Sequence, residues 1–235
     1  MKIFVLSDPH LGFSVNKPMD VFGSRWKDHP AKIRKFWIKA VSKDDIVLIP
    51  GDISWGMNFK EAALDLEFLD ELPGRKYICR GNHDYWWTSR NQVTAHTGPS
   101  ITVLQRNSVR CSGFVLGASK GWSTPLWEGY KPAADDRYYQ RELARMQIAL
   151  EQARELVRPG ERIVYMMHYP PVVDGRPSEF AEYLADSGVS LCVYGHLHGT
   201  WPEGVNMEYR GVHFRIASAD FLNFKPLEIT DLVVG

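Results

Sequence analysis

The chain has 235 residues, 44% hydrophobic and 24% charged, a length and balance that suit one domain spanning 1–235 and exclude a disordered segment. Lys plus Arg equals Asp plus Glu at 28 each, so no global positive field draws the chain onto nucleic acid or an anionic membrane, although a local basic patch fits the same balance. The first apolar run, 3–6, is too short for a signal-peptide core, and no stretch approaches the roughly 20 apolar residues of a membrane span, which predicts a cytoplasmic protein without a membrane partner.

In chain order, β-branched or apolar runs at 3–6, 46–50, 76–79, 101–104, 114–117, 163–167, 191–194 and 214–217 read as strands buried on both faces. Between the first two, Ile33, Phe36, Trp37, Ala40 and Val41 recur at helical spacing behind Pro30, which suits a first helical turn. Asn58 with Glu61 resembles a capping box, and the helix it opens stops at Pro73-Gly74. The longest helical pattern runs from an Asp135 cap through Tyr139, Leu143, Met146 and Leu150 to Pro159-Gly160. Alternating strands and helices give the class α/β. Three long connections, 11–29, 118–134 and 169–177, read equally well as lids or as surface insertions. Cys79, Cys111 and Cys192 lack CxxC spacing and read as buried apolar residues in a reducing compartment. Nothing in the sequence sets an oligomeric state.

The residues that follow the strands carry the chemistry. Asp8 and His10 follow the first run, Asp52 the second, Asn82, His83 and Asp84 the third, His168 the run at 163–167, and His196 and His198 the run at 191–194. Carboxyl ends of strands share an edge in open α/β sheets, so residues from 8 to 198 can meet at one point. His29, His96 and His213 lie in unremarkable contexts. An Asp after a strand often only caps a helix, and a lone His is commonly structural, but five such coincidences point to one metal site.

Oxygen and imidazole donors without thiolate fit Mn, Fe or Zn. Asp8, His10, Asp52, Asn82, His168, His196 and His198 exceed what one ion takes, so two ions are expected, with Asp52 as the candidate bridge. Two divalent ions against two carboxylates leave the site net positive, which attracts a phosphate ester, and ions roughly 3.5–4 Å apart activate water and clamp the reacting oxygens. His83 is the expected leaving-group acid and phosphate binder, with Asp84 holding its ring in the protonated form; the alternative is that His83 is itself a ligand.

The ordered set D-x-H, G-D, G-N-H-D, a lone H and G-H-x-H resembles the calcineurin-like metallophosphoesterase superfamily over 8–198. The resemblance implies a four-layer α/β/β/α sandwich of two mixed sheets and hydrolysis by a metal-bridging hydroxide. It also implies one metal on Asp8, His10, Asp52 and His198 and the other on Asp52, Asn82, His168 and His196. The protein Ser/Thr phosphatases of that superfamily carry G-D-x-x-D-R-G and G-N-H-E; this chain reads Gly51-Asp52-Ile53-Ser54-Trp55-Gly56 and ends its motif in Asp84, which argues against a protein substrate. The chain looks most like compact bacterial phosphohydrolases.

The expected activity is hydrolysis of a small phosphomonoester or phosphodiester, nucleotides included. Alternatives are a nuclease on single-stranded nucleic acid, against which the neutral charge weighs, and a non-catalytic metal-binding module, against which His83 and Asp84 weigh. Trp55, Trp86, Trp87, Trp122 and Trp127 are candidates either to stack on a base or to pack the motifs down. Lys17, Arg25, Arg90, Lys120 and Arg176 are spare cations near motif loops, available to a second phosphate or carboxylate or simply solvated.

Overall fold

The computed structural model describes residues 1–234. Its strands are Ile3–Val5 (β1), Ile46–Ile49 (β2), Arg75–Ile78 (β3), Ile101–Val103 (β4), Asn107–Arg110 (β5), Phe114–Ser119 (β6), Arg162–Met167 (β7), Val172–Val173 (β8), Arg176–Pro177 (β9), Val189–Tyr194 (β10), Met207–Tyr209 (β11), Val212–Ile216 (β12) and Leu227–Glu228 (β13). The helices are His29–Ala40 (α1), Phe59–Glu71 (α2), Arg90–His96 (α3), Pro132–Leu156 (α4), Glu179–Asp186 (α5) and Thr230–Val234 (α6).

Two mixed sheets form, in the orders β13-β1-β2-β3-β4 and β11-β12-β10-β7-β6-β5, while β8 and β9 make a small separate hairpin. Strands β1 to β4 are parallel neighbours with β13 antiparallel at the edge; β6, β7, β10 and β12 are parallel, with β5 and β11 antiparallel at the edges. Alternation along each strand builds the layers. Ile3 and Val5, Ile46 and Leu48, Val164 and Met166, Leu191 and Val193 pack between the sheets. Phe4, Val47 and Ile49 face Ile33 and Trp37 of α1 and Leu66 and Leu69 of α2. Ile163, Tyr165 and Cys192 face Leu143, Met146 and Leu150 of α4 and Phe180 and Leu184 of α5. The expected helix–sheet–sheet–helix order is therefore present, and all eight expected strands form.

Local chemistry explains the helix starts. Asn58 Oδ1 accepts the Glu61 N–H at 3.1 Å and Glu61 Oε2 accepts the Met57 N–H at 2.9 Å, a reciprocal cap. Helix α4 begins at Pro132, earlier than the expected Asp135 cap; Asp135 lies inside the first turn and reaches back to the Lys131 N–H at 2.8 Å. Proline at the start needs no N–H partner there, which is why the helix extends to it. All three cysteines are free and buried. Among the described residues no helix is long and apolar enough to cross a membrane.

Candidate metal centre

The parallel strands β1, β2 and β3 of one sheet and β7 and β10 of the other deliver their following loops to a common seam. There the sheets touch: Ser7 N–H donates to Ala217 O at 2.7 Å and Ala219 N–H to Ser7 O at 2.9 Å, a bridge pairing Ser7 with Ser218. The loops turn sharply, and Asp8, His10, Asp52 and His196 all take positive φ, between 44° and 74°. Such backbone is rare for residues other than glycine and concentrates at functional sites. Two glycines allow the turns to close. A Cβ on Gly81 would lie 2.0 Å from Asp52 Oδ1, and one on Gly195 would lie 2.1 Å from Asp8 Oδ2.

The seven expected donors meet in two adjoining groups. In the first, His198 Nε2 lies 3.4 Å from Asp8 Oδ1 and 3.3 Å from His10 Nε2. In the second, Asn82 Oδ1 lies 2.7 Å from His168 Nε2 and 2.8 Å from His196 Nδ1, whose nitrogens are 3.2 Å apart. Asp52 Oδ2 stands between the groups, 3.7 Å from His10 Nε2 and 3.4 Å from His168 Nε2. Its other oxygen accepts the His83 N–H at 2.8 Å.

These residues fit cations on chemical grounds. His168 Nδ1 faces the Pro50 carbonyl at 2.9 Å, and a carbonyl only accepts, so Nδ1 carries the hydrogen and Nε2 presents a lone pair. That lone pair meets the Asn82 carbonyl oxygen, another acceptor, with no proton to share. A cation resolves such a meeting. Burial pushes the pKa of His10, His168 and His196 down, the last to about 3, so these rings stay neutral as metal ligation requires. Burial works against the Asp8 charge too, yet the facing His198 holds its pKa below the usual carboxylate range. Burial and the neighbouring Asp8 and Asp84 raise Asp52 well above it. Although burial opposes its charge, His198 is pushed up to about 10 by Asp8 and by Asp220. Asp8, Asp52 and Asp84 thus crowd buried carboxyl groups onto this seam, where mutual repulsion and burial disfavour their charges and a bound cation would favour them.

Asp84 departs from expectation. Its carboxylate does not touch His83. Oδ1 accepts the N–H groups of Ile53 at 2.8 Å and Ser54 at 3.2 Å and the Trp86 indole N–H at 3.1 Å, and Oδ2 accepts the Gly81 N–H at 2.7 Å. The loop amides after β2 and β3 would otherwise be buried without partners, and Asp84, itself fully buried, satisfies them. His83 Nδ1 has no hydrogen-bond partner among the described residues, and burial pushes the ring's pKa down rather than up. The expected protonated His83 held by Asp84 is corrected accordingly.

Residues 1–200 match the family described as calcineurin-like phosphoesterase. The chain belongs to that family. As a calcineurin-like phosphoesterase it is a metal-dependent phosphohydrolase, and Asp8, His10 and His198, and likewise Asp8, Asp52 and His168, lie close enough together that each trio could hold a metal ion. It is 39% identical over 215 residues to the Gene 66 protein of Mycobacterium phage D29, covering 90% of this chain and 85% of that one. Its identity to the Gene 66 protein of Mycobacterium phage L5 is 37% over 78 residues, covering 33% of this chain and 37% of that one. The fold resembles the phosphopantetheinyl hydrolase of Mycobacterium tuberculosis, at TM-score 0.60 and 15% identity over 97% of this chain and 95% of that one. It also resembles a protein of unknown function from Aquifex aeolicus, at TM-score 0.54 and 18% identity over 97% and 95%.

Beside the first donor group this phosphoesterase has a cleft of about 230 Å³ whose lining combines His10, His83 and His198 with Met19, Phe22, Trp26 and Trp55. Trp55 stacks on His10 with ring centroids 4.9 Å apart, and Trp26 meets His198 edge-on at 5.6 Å. The connection 11–29 thus supplies a wall of the cleft. Trp86 and Trp87 are buried, and their indoles bond to Asp84 and Gln105, so they anchor the motif. Trp122 stacks on Tyr138 and bonds to Asp135.

Three contributors escaped the sequence reading. Asp220 accepts the His198 Nδ1 hydrogen, and it follows the 214–217 run as Asp8 follows the first, a signal available beforehand. Trp26 carried no motif. His29 is buried with its two nitrogens facing the carbonyls of Trp26 and His10, each at 3.2 Å, and its single N–H donates to one of them, which braces the first loop; only contact geometry reveals that.

Proposed function

We propose that the protein hydrolyses a small phosphate ester, mono- or diester, at a two-cation centre. The observation that carries this is Asp52 standing between two adjoining groups of nitrogen and oxygen donors. In this reading Asp8, His10, Asp52 and His198 hold one ion and Asp52, Asn82, His168 and His196 the other, with Mn, Fe or Zn suited to the nitrogen and oxygen donors. When bound, the ions supply Lewis acidity, which draws in phosphoryl oxygens and eases the deprotonation of water.

The chain's own groups do the rest. Asp220 and the Pro50 carbonyl fix which imidazole nitrogen of His198 and His168 is free. His83, tied to Asp52 through its backbone N–H, presents its ring beside the donors and hydrogen-bonds the leaving oxygen or the phosphoryl group. Trp26, Trp55, Met19 and Phe22 exclude water and pack the organic part of the ester.

The test is metal analysis of the purified protein together with turnover of para-nitrophenyl phosphate and bis-para-nitrophenyl phosphate in added manganese. Asp52→Asn loses metal and activity together; His83→Ala keeps metal and loses about a hundredfold or more in rate. Two bound ions with no turnover of either ester would favour the non-catalytic binding module, and an emptied site in His83→Ala would make His83 a ligand.

A further inference from the structure

A second cluster of charge lies on the Asn82 and His168 flank. A recess of about 30 Å³ is lined by Arg80, Arg106, Lys120, Arg141 and Arg145, with Glu142 as the one carboxylate. It shares Gln105, Arg106 and Arg145 with a broader cleft of about 500 Å³ that adds Arg90 and Asn91. Glu142 is fully buried and spends Oε1 on Arg145 at 2.7 Å and Arg141 at 3.4 Å. Arg80, Arg106 and Lys120 form no ion pair or hydrogen bond to any carboxylate among the described residues, and Arg80 and Lys120 are half-buried.

The cluster is tied to the metal centre by short connections. Arg80 immediately precedes Gly81 and Asn82. The Lys120 carbonyl accepts the N–H groups of His168 and Tyr169, each at 3.1 Å, and the Lys120 ammonium lies 4.2 Å from the Trp122 ring and 5.6 Å from the Tyr169 ring. Tyr169 in turn packs on His196 at 4.3 Å. Five cations around the single carboxylate of Glu142 leave the recess with excess positive charge that is costly to hold half-buried, and a bound anion offsets that cost. Arginine forks match phosphate in a way that lysines on a solvated face do not.

We propose that this cluster is a second anion subsite, and that the substrate carries a further phosphate group besides the one hydrolysed, held by Arg106 and Arg145 where the recess meets the cleft. The assignment rests on the phosphoesterase reading above and narrows its substrate class to small molecules with two separated phosphates.

Arg106→Ala is the informative variant, because Arg106 is exposed and braces no other residue. Calorimetric titration of inorganic phosphate at low ionic strength gives two sites in the metal-loaded protein; in Arg106→Ala one of them weakens at least tenfold. In Asp52→Asn the surviving site is the one that depends on Arg106, so failure of the metal reading and failure of the subsite are told apart. In kinetics, the ratio of kcat/KM for adenosine 3′,5′-bisphosphate over adenosine 5′-monophosphate falls at least tenfold in Arg106→Ala. Equal phosphate binding in wild type and Arg106→Ala, or an unchanged ratio, would overturn the proposal. So would a single-stranded oligonucleotide that displaces phosphate from this site more strongly than the bisphosphate does, since that outcome assigns the cluster to nucleic acid.

Discussion

Asp220 accepts the Nδ1 hydrogen of His198 at 2.8 Å, which turns His198 Nε2 toward Asp8 and His10. Its second oxygen accepts the Gly199 N–H at 3.0 Å, so one carboxylate fixes both the tautomer and the loop. Asp220→Ala is expected to weaken metal binding by about 10- to 100-fold, the usual effect of removing such a support, while the fold persists. Competition with a chromophoric chelator measures it; unchanged affinity would make the contact incidental.

Asp84 is a brace rather than a proton relay. In Asp84→Asn the amide cannot accept at every contact that the carboxylate now serves, and at least one buried N–H loses its partner. The expected loss is about 1–3 kcal/mol of stability, read from urea unfolding. Unaltered stability with a shifted pH–rate profile would restore the partnership with His83.

The glycines at 81 and 195 are fixed by space. Gly195→Ala places a methyl 2.1 Å from Asp8 Oδ2 and 2.2 Å from Ser7 Oγ, which no rotamer change of an exposed chain can relieve. Lower melting temperature and reduced metal content should appear together. A variant with full metal content would show that the seam yields more easily than its packing implies.

Lys76 supplies a pH test away from the site. It is fully buried, and its ammonium donates to the carbonyls of Leu72 at 2.5 Å and Asp70 at 3.2 Å, at the C-terminal end of α2. Burial pushes its pKa down from 10.5 to about 8. The unfolded chain therefore holds a proton that the folded chain has released between those values, and stability from this group rises as pH increases through that window. The rise amounts to about 3 kcal/mol at most. In Lys76→Met this contribution is absent, so the difference between the two unfolding curves should narrow or widen steadily over that window; parallel curves would refute the shift.

Much of this architecture was legible because its signals are local or periodic. The runs at 46–50 and 163–167 are buried on both faces in the structure, so continuous apolarity marked them as central strands. The short edge strands, such as Asn107–Arg110 and Met207–Tyr209, were missed because half-exposed residues carry no such run. The seven donors are legible because each lies in the turn just after a strand. Asp84 departs from the expectation because neighbours in sequence need not be neighbours in space: the turn aims the carboxylate inward at the amides of Ile53 and Ser54. The cations at Arg80, Arg106, Arg141 and Arg145 were not singled out, since only the fold brings a strand end, a turn and a helix face together.

The Ser7–Ser218 bridge gives the seam a thermodynamic meaning. In the proposed two-cation centre, Asp8, His10, Asp52 and Asn82 hang from one sheet and His168, His196 and His198 from the other, so neither sheet alone carries the full donor set. Docking of the two halves and capture of cations then draw on the same free energy, and ion affinity becomes a measure of how firmly the sandwich is shut. Withdrawing the ions should unlatch the molecule from this end first, with the amides of Ser7 and Ala219 among the earliest to exchange with solvent while the middle of each sheet stays protected.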